Sequence, residues 1–185
     1  MRTEDKMVSI PKSLWKLHGQ QAYKSDLILT YLLAITVMLF NMLNIKELEL
    51  WEIIVIAVLS VDIGGGVVSN FTKSTIHYYK EAGLSPHLFI WFHALQTMAL
   101  AIIYNEFYLP VAIVMGVAMA GASIAVAFRN TVFQLQISVF LFAIVVLLLN
   151  FYSELPIPLN TLIVLMAFKI MVGFAGHYGK HQIKH

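Results

Sequence analysis

The sequence predicts an all-α membrane protein, a bundle of six transmembrane helices with both termini in the cytoplasm and a short N-terminal interfacial segment. Three observations carry this. Hydrophobic residues make up 59% of the chain and charged residues 12%, with a mean hydropathy of +0.79, too apolar for a soluble domain of 185 residues. Six continuously apolar runs of about 20 residues emerge, long enough to cross a bilayer and lacking the alternation of barrel strands. Basic residues are one-sided: Arg2, Lys6, Lys12, Lys16, Lys24, Lys73, Lys80, Arg129, Lys180 and Lys184 fall on one side of this threading, and only Lys46 falls on the other. The positive-inside rule then places both termini in the cytoplasm of a multi-pass protein of the plasma (inner) membrane.

Residues 1–26 form the N-terminal part. Within 8–24, Ile10, Leu14 and Leu17 share a helical stripe beside Trp15, and Lys12 and Lys16 can reach lipid phosphates, which predicts a short interfacial helix. This region lacks the apolar core of a signal peptide, so the first run, 27–45, is read as a retained helix. The others lie at 51–72, 88–107, 109–128, 132–151 and 157–177. A tight turn around Glu106 to Pro110 joins the third and fourth runs. Pro156 and Pro158 forbid a continuous helix between the fifth and sixth. Trp51 and Trp91 fall near opposite interfaces, as belt aromatics do. The transmembrane domain is thus 27–178, followed by a cytoplasmic tail, 179–185.

The chain has no cysteine, which excludes disulfides, iron–sulfur clusters, thiolate zinc sites and cysteine nucleophiles. A net charge of +2 gives no footprint for nucleic acid. The expected partners are membrane lipids, with a homo-oligomer or a membrane partner protein packed on small-residue faces. Gly64, Gly65 and Gly66 lack the Gly-Lys-Ser/Thr that would make them a phosphate loop, so close helix packing or a kink is their expected role.

Polar residues inside apolar helices mark the chemistry. Asp62, Gly66, Asn70 and Ser74 follow at steps of four in the second helix, and His77 continues that face if the helix projects beyond the membrane. Lys169, Gly173, His177 and His181 repeat the arrangement in the sixth. Asp62 and Lys169 each lie about 11 residues into helices running in the same direction, roughly 16 Å deep at the helical rise. An unpaired charge there costs at least about 2.5–3.5 kcal/mol. An Asp62–Lys169 pair between neighbouring helices is therefore predicted, read first as a structural pair and second as a proton relay.

All seven histidines fall on the cytoplasmic side of the threading. Ser85-Pro86 reads as a helix start, which puts His93 about two turns inside the third helix with Gln96 one turn deeper. His93, His177 and His181 offer three nitrogen ligands to a divalent zinc or iron ion, with His77, His87, Asn70 or water completing the shell. Ser74, Arg129 and Tyr178 are the candidate catalytic residues, donating hydrogen bonds or holding an anionic headgroup. Haem clamped between His93 and His177 is a lesser alternative. His18 is read as a snorkelling interfacial residue, and His185 as part of a solvated tail.

The His177-x-x-x-His181 spacing resembles the alkaline ceramidase and adiponectin-receptor group of intramembrane zinc hydrolases, which add a serine, a histidine and an aspartate on other helices. Asp62, Ser74 and His77 stand in for these here. The chain departs from that pattern in having six helices instead of seven, in a spacing of three between Ser74 and His77, and in an aspartate that precedes the serine. The resemblance covers a few residues and implies zinc-dependent hydrolysis of a lipid amide.

Three functions stay open: a metal-dependent membrane hydrolase or oxidoreductase acting on an amphiphile, a small-molecule or ion transporter using Asp62 and Lys169, and a non-catalytic membrane scaffold.

Overall fold

A computed structural model describes residues 6–179. The chain is predominantly helical, 76%, and among the described residues five helices are long and apolar enough to cross a membrane, as in a multi-pass membrane protein. These are α2 (Lys24–Asn44), α3 (Leu50–Ser69), α5 (Pro86–Ile103), α6 (Tyr108–Ala127, preceded by a 3₁₀ turn from Asn105) and the last helix, which runs as α8 (Ile157–Phe168) into a π-helix (Lys169–Ala175). A further apolar helix, α7 (Gln134–Leu149), has 16 residues. At the helical rise that is about 24 Å, short of the roughly 30 Å of hydrocarbon in a bilayer.

Local chemistry sets the helix ends. Glu49 and Glu52 form a capping box at the start of α3. Ser85 caps α5 with Pro86 in its first turn, as the sequence predicts. Pro156 caps α8. The last helix lies at the centre: Leu159, Leu162, Ile163, Met166, Ile170 and Met171 are fully buried. It packs against α2, α3, α6 and α7.

The N-terminal segment holds a shorter helix than the spacing predicts, set inside a small antiparallel hairpin. Strand β1 (Met7–Ser9) pairs antiparallel with β2 (Gln21–Tyr23), Met7 opposite Tyr23, and a 3₁₀ turn (Lys12–Leu14) followed by the helical turn α1 (Trp15–His18) lies between them. Pro11 and Gly19 bound these two turns. Gly19 ends α1 at φ +74°, and a Cβ there would lie 2.5 Å from the Ser74 carbonyl oxygen. The indole of Trp15 donates to the Ile10 carbonyl at 2.7 Å, closing the loop on itself.

A correction concerns the polar face of α3. The helix stops at Ser69 instead of running into the residues beyond 72. Thr72 then caps a separate helix, α4 (Lys73–Glu81), its hydroxyl accepting from the Thr75 amide at 3.3 Å. Thr75 Oγ1 donates to the Leu17 carbonyl at 2.9 Å, so α4 holds the hairpin against this end of the bundle.

Candidate functional site

The predicted pair is formed. Lys169 Nζ donates to Asp62 Oδ2 at 2.7 Å, with side-chain exposures of 5% and 34%. Gln96 Nε2 of α5 donates to the same oxygen at 2.8 Å. The stripe at steps of four on α3 faces Lys169 along its length. Gly66 leaves space for the lysine stem, since a Cβ there would overlap its Cε and lie 2.6 Å from its Cδ. Asn70 Nδ2 donates to the Lys169 carbonyl at 3.2 Å.

The last helix widens at this level into the π-helix, whose looser turns leave carbonyls without their usual donors. Side chains supply them. Besides Asn70 on Lys169, His177 Nδ1 donates to the Val172 carbonyl at 3.0 Å. Gln134 of α7 donates to the carbonyls of Ala175 at 2.6 Å and Tyr178 at 2.7 Å. Gln134 went unremarked in the sequence, where a glutamine opening an otherwise apolar run was its signal.

Beside the pair lies a cavity of about 320 Å³ between α3 and α5. Its polar floor is Asp62, Lys169, Gln96 and His93. Its walls include Leu88, Phe89 and Phe92, and Lys16 and Leu17 of the N-terminal segment also line it. The His93 ring is buried, with Nδ1 2.9 Å from the Phe89 carbonyl. A carbonyl only accepts, so Nδ1 carries the hydrogen, and in the neutral ring Nε2 keeps the lone pair. Tyr79 closes the cavity from α4; burial pushes its phenol well above the usual range, so it stays a neutral hydroxyl.

The other predicted site residues lie elsewhere. His177 and Tyr178 line a separate cavity of about 10 Å³, the room of one water, and the Tyr178 hydroxyl donates to the Leu84 carbonyl at 3.0 Å. The stacked rings of Phe89 and Phe174, 4.0 Å apart, link the walls of the two cavities, so His93 and His177 line no common space that would hold a haem. His77 is exposed and pairs with Glu81 at 3.1 Å, and His87 is exposed. Ser74 presents its backbone to Gly19, and exposed Arg129 packs its stem near Gly179. Asp62, Ser74 and His77 thus do not converge as the hydrolase resemblance implies. His181, His185 and most of the tail lie outside the described residues. Among the described residues no three His, Cys, Asp or Glu side chains come together as a metal site, and His181 of the predicted zinc or iron set lies outside them.

His18 differs most from its sequence reading. It is 4% exposed and its Nε2 lies 3.0 Å from the Tyr31 hydroxyl of α2. Burial holds its imidazole below the ordinary histidine value of 6.5. Tyr31 and, across the α2–α3 groove, Asp62 face this region, with Lys16 on the same turn. A depressed value means that docking favours the neutral ring. The stability that the neutral ring lends to hairpin docking is therefore complete above 6.5 and falls away as pH drops through the lowered value. The protection of amides over residues 7–23, taken relative to the intrinsic exchange rate at each pH, should fall on acidification, and His18→Phe should remove that fall. Protection that does not change with pH in the parent protein would contradict this.

Compared with known protein families, curated proteins and solved structures, the chain matches none.

Proposed function

We propose that the protein is an integral membrane enzyme that takes a lipid or other amphiphile from the leaflet at the hairpin end of the bundle and acts on it beside Asp62 and His93. One observation carries the reading: an apolar-walled cavity with an ionic and histidine floor, between α3 and α5. The two helices pack mainly on other neighbours, α3 on α2 and α5 on α6, which supports lateral entry between them. A polar floor within spanning helices is costly unless it serves partners or chemistry. In this reading His93 Nε2 acts as the base, Lys169 stabilises negative charge that develops nearby, and Asp62 with Gln96 holds Lys169 in place.

Six crossings with both termini cytoplasmic, in the plasma (inner) membrane, belong to the same proposal. The one-sided basic residues support it, and α7 would cross where the bilayer thins. Transport along Asp62 and Lys169 is less well supported, because fully buried Ile56, Ile63, Leu100, Leu159 and Ile163 fill the bundle further along these helices.

The test incubates purified protein with a cellular lipid extract and compares the lipids by mass spectrometry against His93→Ala. A product made by the parent protein and lost at least tenfold in the variant supports the proposal. Identical lipid profiles contradict it. Metal analysis of the same samples decides whether zinc or iron contributes. One ion per chain that is lost in His93→Ala makes the chemistry metal-dependent, and activity in metal-free protein makes it acid–base chemistry.

A further inference from the structure

We infer that the cavity on the other side of Asp62, in the groove between α2 and α3, holds the alkyl chain of a single-chain amphiphile whose neutral hydroxyl donates to Asp62 Oδ1. The inference rests on the amphiphile reading above and names the chemistry of the ligand.

The starting point is an unfilled acceptor. Both donors that reach the Asp62 carboxylate, from Lys169 and Gln96, converge on Oδ2. Oδ1 has no donor among the described residues, although the side chain is 34% exposed at a site within a spanning helix. Water or a ligand must supply that donor, because a carboxylate oxygen left bare in an apolar setting is expensive.

Asp62 borders two cavities. One is the α3–α5 cavity described above. The other measures about 420 Å³, and the two share Leu17, Asp62, Gly66 and Ser69. Along α2 and α3 the second is lined by Ala34, Met38, Ala57, Val58 and Val61, a surface suited to a hydrocarbon chain. His18 and Leu17 of the hairpin line it too. Thr30, 3% exposed, also lies in this wall, and its hydroxyl has no partner among the described residues. The volume suits one chain, being near the low end of the range for small-molecule sites, roughly 300–1,000 Å³.

Charge selects the head. Lys169 already neutralises Asp62, and Lys16 lines the adjoining cavity. A cationic head would need a further counter-charge, which the walls of the two cavities do not offer. An anionic head lacking a hydrogen could not donate to Oδ1 and would be repelled by it. A neutral hydroxyl satisfies the oxygen and adds no charge. Its oxygen would also lie beside the cavity that carries His93, the reacting end in the proposed function.

The test measures binding of radiolabelled dodecanol to the full chain in nanodiscs, with empty nanodiscs subtracted. Excess unlabelled dodecanol should displace the saturable fraction, and dodecyl methyl ether, which has no donor, should displace it at least tenfold less well. Val61→Trp fills the groove from its lipid-facing side and should abolish saturable binding while leaving the bundle folded, as circular dichroism checks. Equal displacement by the ether overturns the hydroxyl assignment and leaves the amphiphile reading standing. Unchanged binding in Val61→Trp overturns the location. Absence of saturable binding overturns the inference, while the lipid-turnover comparison above still decides the enzyme reading independently.

Discussion

Lys169→Met lowers the stability of the protein by about 3 kcal/mol. Removing one partner of a buried ion pair typically costs about 3–5 kcal/mol, because the remaining charge keeps its desolvation penalty and loses its compensation. Asp62 is 34% exposed to the cavities, which softens that penalty and selects the lower end. Unfolding in mixed detergent micelles measures the change. The double variant Asp62→Asn/Lys169→Met should recover most of the loss, since it removes both charges and keeps a side-chain oxygen for Gln96. A double variant no more stable than Lys169→Met would show that the pair does not carry the cost.

Gln134→Leu costs about 2–6 kcal/mol. It takes the donor from two carbonyls, those of Ala175 and Tyr178, at the end of the π-helix, and each orphaned buried acceptor costs about 1–3 kcal/mol. The effect should be local before it is global. Hydrogen exchange should rise over residues 171–178 with little change in α6. Since the same π-helix begins at Lys169, the variant should also weaken whatever the polar floor does. Unchanged exchange over 171–178 would show that Gln134 is not the latch of this segment.

The sequence made the ion pair legible because the membrane leaves charge few options. Two opposite charges at equal depth in helices of the same direction had to find each other, and Asp62, Gly66 and Asn70 do face Lys169. Five of the apolar runs emerge as helices long enough to cross, for the same reason of length and continuity. Three features were hidden. The break at residues 70–72 depends on Thr72 capping a new helix, and a stripe continued by steps of four cannot reveal a restart. The N-terminal stripe of Ile10, Leu14 and Leu17 has helical spacing, and Leu14 and Leu17 are helical, yet the strand pairing on either side confines the helix to two short turns and leaves Ile10 outside it. The π-helix has no periodic signature. It is stabilised by Asn70, His177 and Gln134, the first and last of which come from distant parts of the chain.

The histidines teach the same lesson from the other side. One-sided placement suggested one cluster, but burial and partners separate them: His93 joins the ionic floor, His177 caps a carbonyl of its own helix, His18 docks the hairpin, and His77 and His87 are exposed. Sharing a membrane face fixes depth and leaves the angle around the bundle free. That angle decided which of them meet Asp62.

The most direct measurement is photolabelling from the bilayer itself, with a single-chain lipid carrying an alkyl diazirine, followed by mapping of the adducts at residue level. With the diazirine placed beside the head of the lipid, adducts on Asp62 and His93 are the result that the proposed entry to the polar floor between α3 and α5 predicts. Adducts confined to outward-facing residues such as Leu95, Met98 and Ile54, with none on Asp62 or His93, would contradict it.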